Sequence, residues 1–209
     1  MNYNMESIKS DLIDMEEKQF YLKYIIKSNN WYFTEFQHTP DNEFVDKMDT
    51  FKEIIAKCFG VSFHSAQIVG SAKLGFSLSP EKSLKKFIAH ASNKTEKESD
   101  IDIAIISEKL YYDIWEKLRE GIKSSFVPYY SNIANSIFKG YINDKHIKNL
   151  DFFRKEWEEK ISASNIRLQE EISIMHTISY RIYRSWEDLQ DYQIDGIMKV
   201  KEKVIKNEI

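Results

Sequence analysis

Apolar residues along this chain recur in two rhythms, steps of three or four and strict alternation, which mark helices and strands respectively. Between residues 5 and 28, Ile8, Leu12, Met15, Phe20, Tyr24 and Ile25 predict a helix with one buried stripe, and the stretch SNNWYF then breaks it. Thr39-Pro40 supplies an N-cap and a proline suited to the first helical position. Phe44, Met48, Phe51, Ile55 and Cys58 follow at helical steps until Gly60 stops the run.

Alternation takes over farther along. Ser65 to Val69 is a short apolar run entering Gly70-Ser71, which predicts a strand ending in a tight turn. Lys73 to Glu98 reads as an insertion with at most a short helix near Leu84 to Ile88. Asp100 to Ile106 alternates as a two-faced strand, and Ser107 caps a helix whose face is Leu110, Tyr111, Ile114, Leu118 and Ile122. Beyond Pro128 the reading is a loop-rich aromatic section, then a helix from Asn149 to Ile161. The run EISIMHTISYRIY puts Ile172, Ile174, His176, Ile178, Tyr180 and Ile182 on one side of a strand, with a turn near Met175 to Thr177. A helix capped by Ser185 closes the chain.

These elements predict an α/β (α+β) fold, a small mixed sheet with flanking helices. A single domain over 1–209 is expected, with an N-terminal helical segment 1–60, a core 61–189 carrying the insertion 73–98, and a C-terminal helix 185–209. Composition then narrows the class. With 42% hydrophobic and 30% charged residues the chain is too apolar for general disorder. A net charge of -3 gives no global attraction to nucleic acid or anionic membrane, so any polyanion must be met by a local site. The single cysteine, Cys58, excludes an internal disulfide and suits a reducing cytoplasm. No apolar run is long enough for a membrane span, and the opening residues do not read as a leader.

The candidate chemistry lies in the alternating strand. In extended backbone Asp100 and Asp102 share a face with Cα atoms roughly 6.6 Å apart. Two ionised carboxylates that close repel unless a cation or strong donors stand between them, and magnesium or manganese is the expected occupant. Ile101, Ile103 and Ile105 on the other face fix the register. An edge strand whose polar face meets water is the alternative. Gly70-Ser71 adds a turn that backbone groups can approach closely and a hydroxyl suited to a phosphate, although Ser71 also suits a local cap. No zinc spacing, Walker loop or nucleophile elbow competes.

The pair IVGSAKLGFS and SDIDIAII resembles the nucleotidyltransferase superfamily of the DNA polymerase beta type. The resemblance implies that Gly70 and Ser71 bind a nucleotide's phosphates, that Asp100 and Asp102 are catalytic ligands of Mg2+ (or Mn2+), and that a nucleoside triphosphate (NTP), ATP among them, is the substrate. It also implies a protein or RNA acceptor, and a bacterial toxin–antitoxin or phage-defence setting, in which a complex with a second protein is expected. Among the lysines of the insertion, Lys73 is the best situated for phosphate. Two departures stand beside the resemblance. The spacer from Ser71 to Asp100 is longer than the family's, and no third carboxylate sits mid-strand near Thr177 to Arg181, leaving Glu170 and Glu171 as the nearest substitutes. Both departures support an alternative, a weakened or inactive nucleotide-binding or regulatory subunit of the same fold.

Overall fold

Ile101, Ile103 and Ile105 are fully buried in strand β2 (Ile101–Ile106), as the alternating pattern predicts. The opposite face differs from expectation, because Ala104 and Ile106 are buried too and only Asp102 is left partly open. β2 lies in a four-stranded mixed sheet with β1 (Ala66–Val69), β3 (Tyr141–Asn143) and β4 (Ile178–Tyr183), in the order β1-β2-β4-β3. β3 runs antiparallel to β4, with Ile142 opposite Ile182. The computed structural model describes residues 4–93, 95–124, 126–148 and 150–206. Asn149, the expected start of one helix, and the last residues of the closing helix lie outside that set.

The chain forms two units, one of residues 1–44, 68–102 and 190–209, the other of residues 45–67 and 103–189. α3 (Asp41–Phe59), which from Val45 onward belongs to the second unit, buries Phe51, Ile54, Ile55 and Phe59, and the Val61 N–H closes its end on the Ala56 carbonyl at 3.1 Å. α5 (Glu108–Ser124) is capped as expected, with the Leu110 N–H donating to the Ser107 hydroxyl at 3.2 Å. Its buried face is Tyr111, Ile114 and Leu118, whereas Ile122 is exposed. The aromatic section expected as loop contains a helix, α6 (Tyr130–Phe138), followed by a four-residue α7 (Asp144–Ile147).

The largest correction concerns α8, which spans Asp151–Ile172 instead of stopping at Ile161. Phe153, Trp157, Ile161, Ser164, Leu168 and Ile172 keep one continuous buried stripe, so the helical rhythm overrides the alternation that begins at Ile172. Only Ile178–Tyr183 is strand, yet Ile172, Ile174, His176, Ile178, Tyr180 and Ile182 are all buried as expected. The Tyr180 hydroxyl donates to the Asn165 side-chain carbonyl at 2.7 Å and lies 2.9 Å from the Ser164 hydroxyl, from which it can accept, and burial raises its pKa.

The first unit has its own core, in which Ile8, Leu12, Phe20 and Tyr24 meet Leu74, Phe76, Leu84, Ile197 and Val200. The helix expected over 5–28 is interrupted: α1 (Met5–Asp14) and α2 (Glu17–Tyr21) are separated by extended backbone at Met15 and Glu16. The Met15 carbonyl freed by that break accepts from Lys201 at 2.8 Å, and Lys201 also pairs with Glu17 at 3.1 Å. Lys201 belongs to α9 (Trp186–Ile205), whose start the Ser185 hydroxyl caps by accepting from the Asp188 N–H. Among the described residues no helix is long and apolar enough to cross a membrane.

Candidate functional site

β1 ends at Val69, and Gly70 turns the chain with φ +66°, a conformation that glycine adopts without steric cost. The next element is a five-residue helix, α4 (Gly70–Leu74), in place of the tight turn expected at Gly70-Ser71. The correction has a local cause: the Gly75 N–H donates to the Ser71 carbonyl at 2.8 Å, closing a full helical turn, and Leu74 anchors that turn in the core. Ser71 is buried and Gly70 partly open.

Gly70 is also a spatial requirement. A Cβ built there would stand 2.7 Å from Oδ2 of Asp102, closer than real Cβ contacts allow. The Asp102 carboxylate therefore occupies the space that a side chain at position 70 would take. This brings together the two halves of the sequence pattern, the glycine turn and the acidic strand. Gly70→Ala is expected to cost about 1–2 kcal/mol from its left-handed backbone alone, and to push the carboxylate aside as well. Thermal unfolding reads the first effect and titration with Mn2+ the second; unchanged melting and unchanged Mn2+ affinity would show that the close approach has no consequence.

Asp100 precedes β2, and the segment before it holds it there. The Ser99 N–H donates to the Ile88 carbonyl at 2.9 Å and the Ile88 N–H to the Ser99 hydroxyl at 3.0 Å. Farther back the insertion is hairpin-like, and Leu84 to Ile88 form no helix, within the expectation of at most a short one there. Phe76 and Lys86 form an antiparallel bridge, Ser77 and Lys85 bond through the backbone at 2.9 Å, and Phe76, Leu84 and Phe87 are buried. The turn of this tongue brings Lys82 to 3.6 Å from the Asp100 carboxylate. Ser83 and Leu84 in the same turn have φ of 37° and 59°, a strained pair held by Leu84 in the core and by Lys203 donating to the Pro80 carbonyl at 2.6 Å. No spacing rule in the sequence points to Lys82 as the neighbour of Asp100.

Lys73 goes elsewhere. Its ammonium is buried and donates to the Ser28 carbonyl at 2.6 Å, and desolvation pulls its pKa down to about 8. It lines a cavity with residues of the segment 27–35, and none of Gly70, Ser71, Asp100 and Asp102 borders that cavity. Glu170 and Glu171, considered as a third acid, are exposed on α8, where Glu171 pairs with Arg167 at 2.6 Å.

The donor chemistry fits one hard divalent cation. Magnesium commonly takes one or two carboxylates and completes its shell with water and substrate phosphate oxygens, and Asp100 and Asp102 offer that pair. An all-protein cage is a different matter, since no group of three His, Cys, Asp or Glu suited to a metal is present among the described residues. No family model, no curated protein and no solved structure matches this chain.

Proposed function

We propose that this chain is a metal-dependent nucleotidyltransferase, moving a nucleoside monophosphate from an NTP to a protein or nucleic-acid acceptor. The observation that carries the reading is the Asp102 carboxylate lying against a glycine of left-handed φ, immediately before Ser71 and two residues beyond Asp100. Asp100 and Asp102 would hold Mg2+ or Mn2+, which when bound supplies positive charge to the reacting phosphate and the leaving oxygen. The Asp102 carboxylate takes the space over Gly70, so a phosphate would reach this turn only through a metal ion held between them, with the Ser71 hydroxyl as the nearest donor. Lys82, beside Asp100, is a further cation available to the triphosphate. The acceptor hydroxyl attacks the α-phosphorus and pyrophosphate leaves, so orientation and electrostatics supply most of the rate.

One observation favours a second reading, a weakened or inactive nucleotide-binding subunit. No third acidic ligand accompanies Asp100 and Asp102 among the described residues, which suits one ion better than two. Incubation of the full chain with each labelled NTP and Mg2+ separates the readings. Pyrophosphate release with label on protein or RNA is expected of the transferase; NTP binding without release supports the subunit; neither binding nor release removes both.

A further inference from the structure

We propose that the cavity at Lys73 is a binding site for a phosphate-type oxyanion, separate from the Asp100–Asp102 pair. The first ground is the state of the lysine. An ammonium has three donors, and among the described residues the Lys73 ammonium has the Ser28 carbonyl as its one partner. Lys73 is only 8% exposed and forms no ion pair among the described residues, so two donors and a full charge are held out of bulk water facing a cavity. A buried charge in that condition is costly unless a counter-charge arrives.

The second ground is the wall around it. Ser28 stands between two π-helical turns, Leu22–Ile26 and Tyr32–Phe36, closed by the Lys27 N–H on the Leu22 carbonyl at 3.0 Å and the Gln37 N–H on the Tyr32 carbonyl at 2.9 Å. Such turns are rare and concentrate at functional sites. Here they set Lys27 beside Lys73 on the cavity wall. The hydroxyls of Ser28 and Thr34 are engaged with the carbonyls of Tyr24 and Asn30, so the strong donors at the cavity are the two ammonium groups. Glu35 also borders the cavity, and the pair of lysines outweighs it in charge.

Size sets the ligand class. The cavity volume of about 80 Å³ suits a phosphate group and is too small for a nucleoside. The oxyanion is therefore either free orthophosphate or a terminal phosphate whose remainder stays outside. Asn29, Trp31 and Leu74 complete the wall, so the positive charge that faces an anion there comes from the two lysines.

The test is equilibrium dialysis of the full chain against labelled orthophosphate, with a nucleoside monophosphate as competitor to separate the two sources. Reductive methylation of lysines read by peptide mass spectrometry locates the site. Orthophosphate is expected to protect Lys73 from methylation in the parent and equally in Asp102→Asn. Lys27→Ala should weaken binding roughly threefold, as loss of an exposed charge partner does, and Lys73→Met should abolish it. Removing a buried charge leaves Lys73→Met able to fold, and the protection measurement on the parent needs no variant at all. Unprotected Lys73 at millimolar phosphate, or protection that disappears in Asp102→Asn, overturns the separate site, whatever becomes of the transferase reading.

Discussion

Asp102→Asn is expected to reduce nucleotidyl transfer by about 10²–10³-fold, the usual cost of losing one strong electrostatic contact to a developing charge. The substitution keeps the side chain's size and leaves its place beside Gly70 filled. Its one change is the loss of a negative charge from the pair that, on the proposed reading, would hold a doubly charged ion. Affinity for Mn2+ should fall with activity, while the melting temperature stays near that of the parent. Parent and variant transferring label equally would end the assignment of Asp102. Asp100→Asn should act in the same direction with a smaller effect. The Asp100 side chain is 35% exposed and already shares its charge with Lys82 at 3.6 Å, so its removal takes less from the ion's field.

Trp157→Ala is expected to cost about 3–5 kcal/mol of stability, the range for emptying a large aromatic site in a core. Trp157 is fully buried on α8, with Phe59 edge-on at 5.5 Å and Phe153 at 5.9 Å. Its indole N–H has no hydrogen-bond partner among the described residues, so its contribution is ring packing without a polar component. Trp157→Phe therefore should lose much less, because it keeps most of the apolar surface and removes an unpaired donor. Equilibrium unfolding in urea, followed by near-UV circular dichroism, compares the variants. A loss below about 1 kcal/mol for the alanine variant would mean that the site collapses without a cavity.

How much of this is legible in the sequence depends on which residues carry the signal. β2 can be read to within one residue because Ile101, Ile103 and Ile105 alternate without interruption. α3 is legible because Pro40 and Gly60 bracket a periodic run. α8 misleads because two rhythms overlap at Ile172, and the six-residue stripe from Phe153 decides the outcome only when followed to its end. The break between α1 and α2 carries no local signal, since the Met15 carbonyl is satisfied by Lys201, 186 positions away. Gly70 and Asp102 are paired in the sequence only by resemblance to a superfamily pattern, and their close approach is a spatial fact that no spacing gives. The tongue's lysines mask its buried Phe76, Leu84 and Phe87, and with them the hairpin that carries Lys82.

The core beneath α4 joins Ile8 and Leu12 of α1 to Ile197, Val200 and Val204 of α9. During synthesis the early helices leave the ribosome long before these partners exist, although domains elsewhere tend to fold in order of emergence. The body bearing Gly70 and Asp102 thus closes only after α9 has been translated. Until then its apolar faces are open to chaperones, and a nascent chain arrested before α9 lacks the core partners of α1.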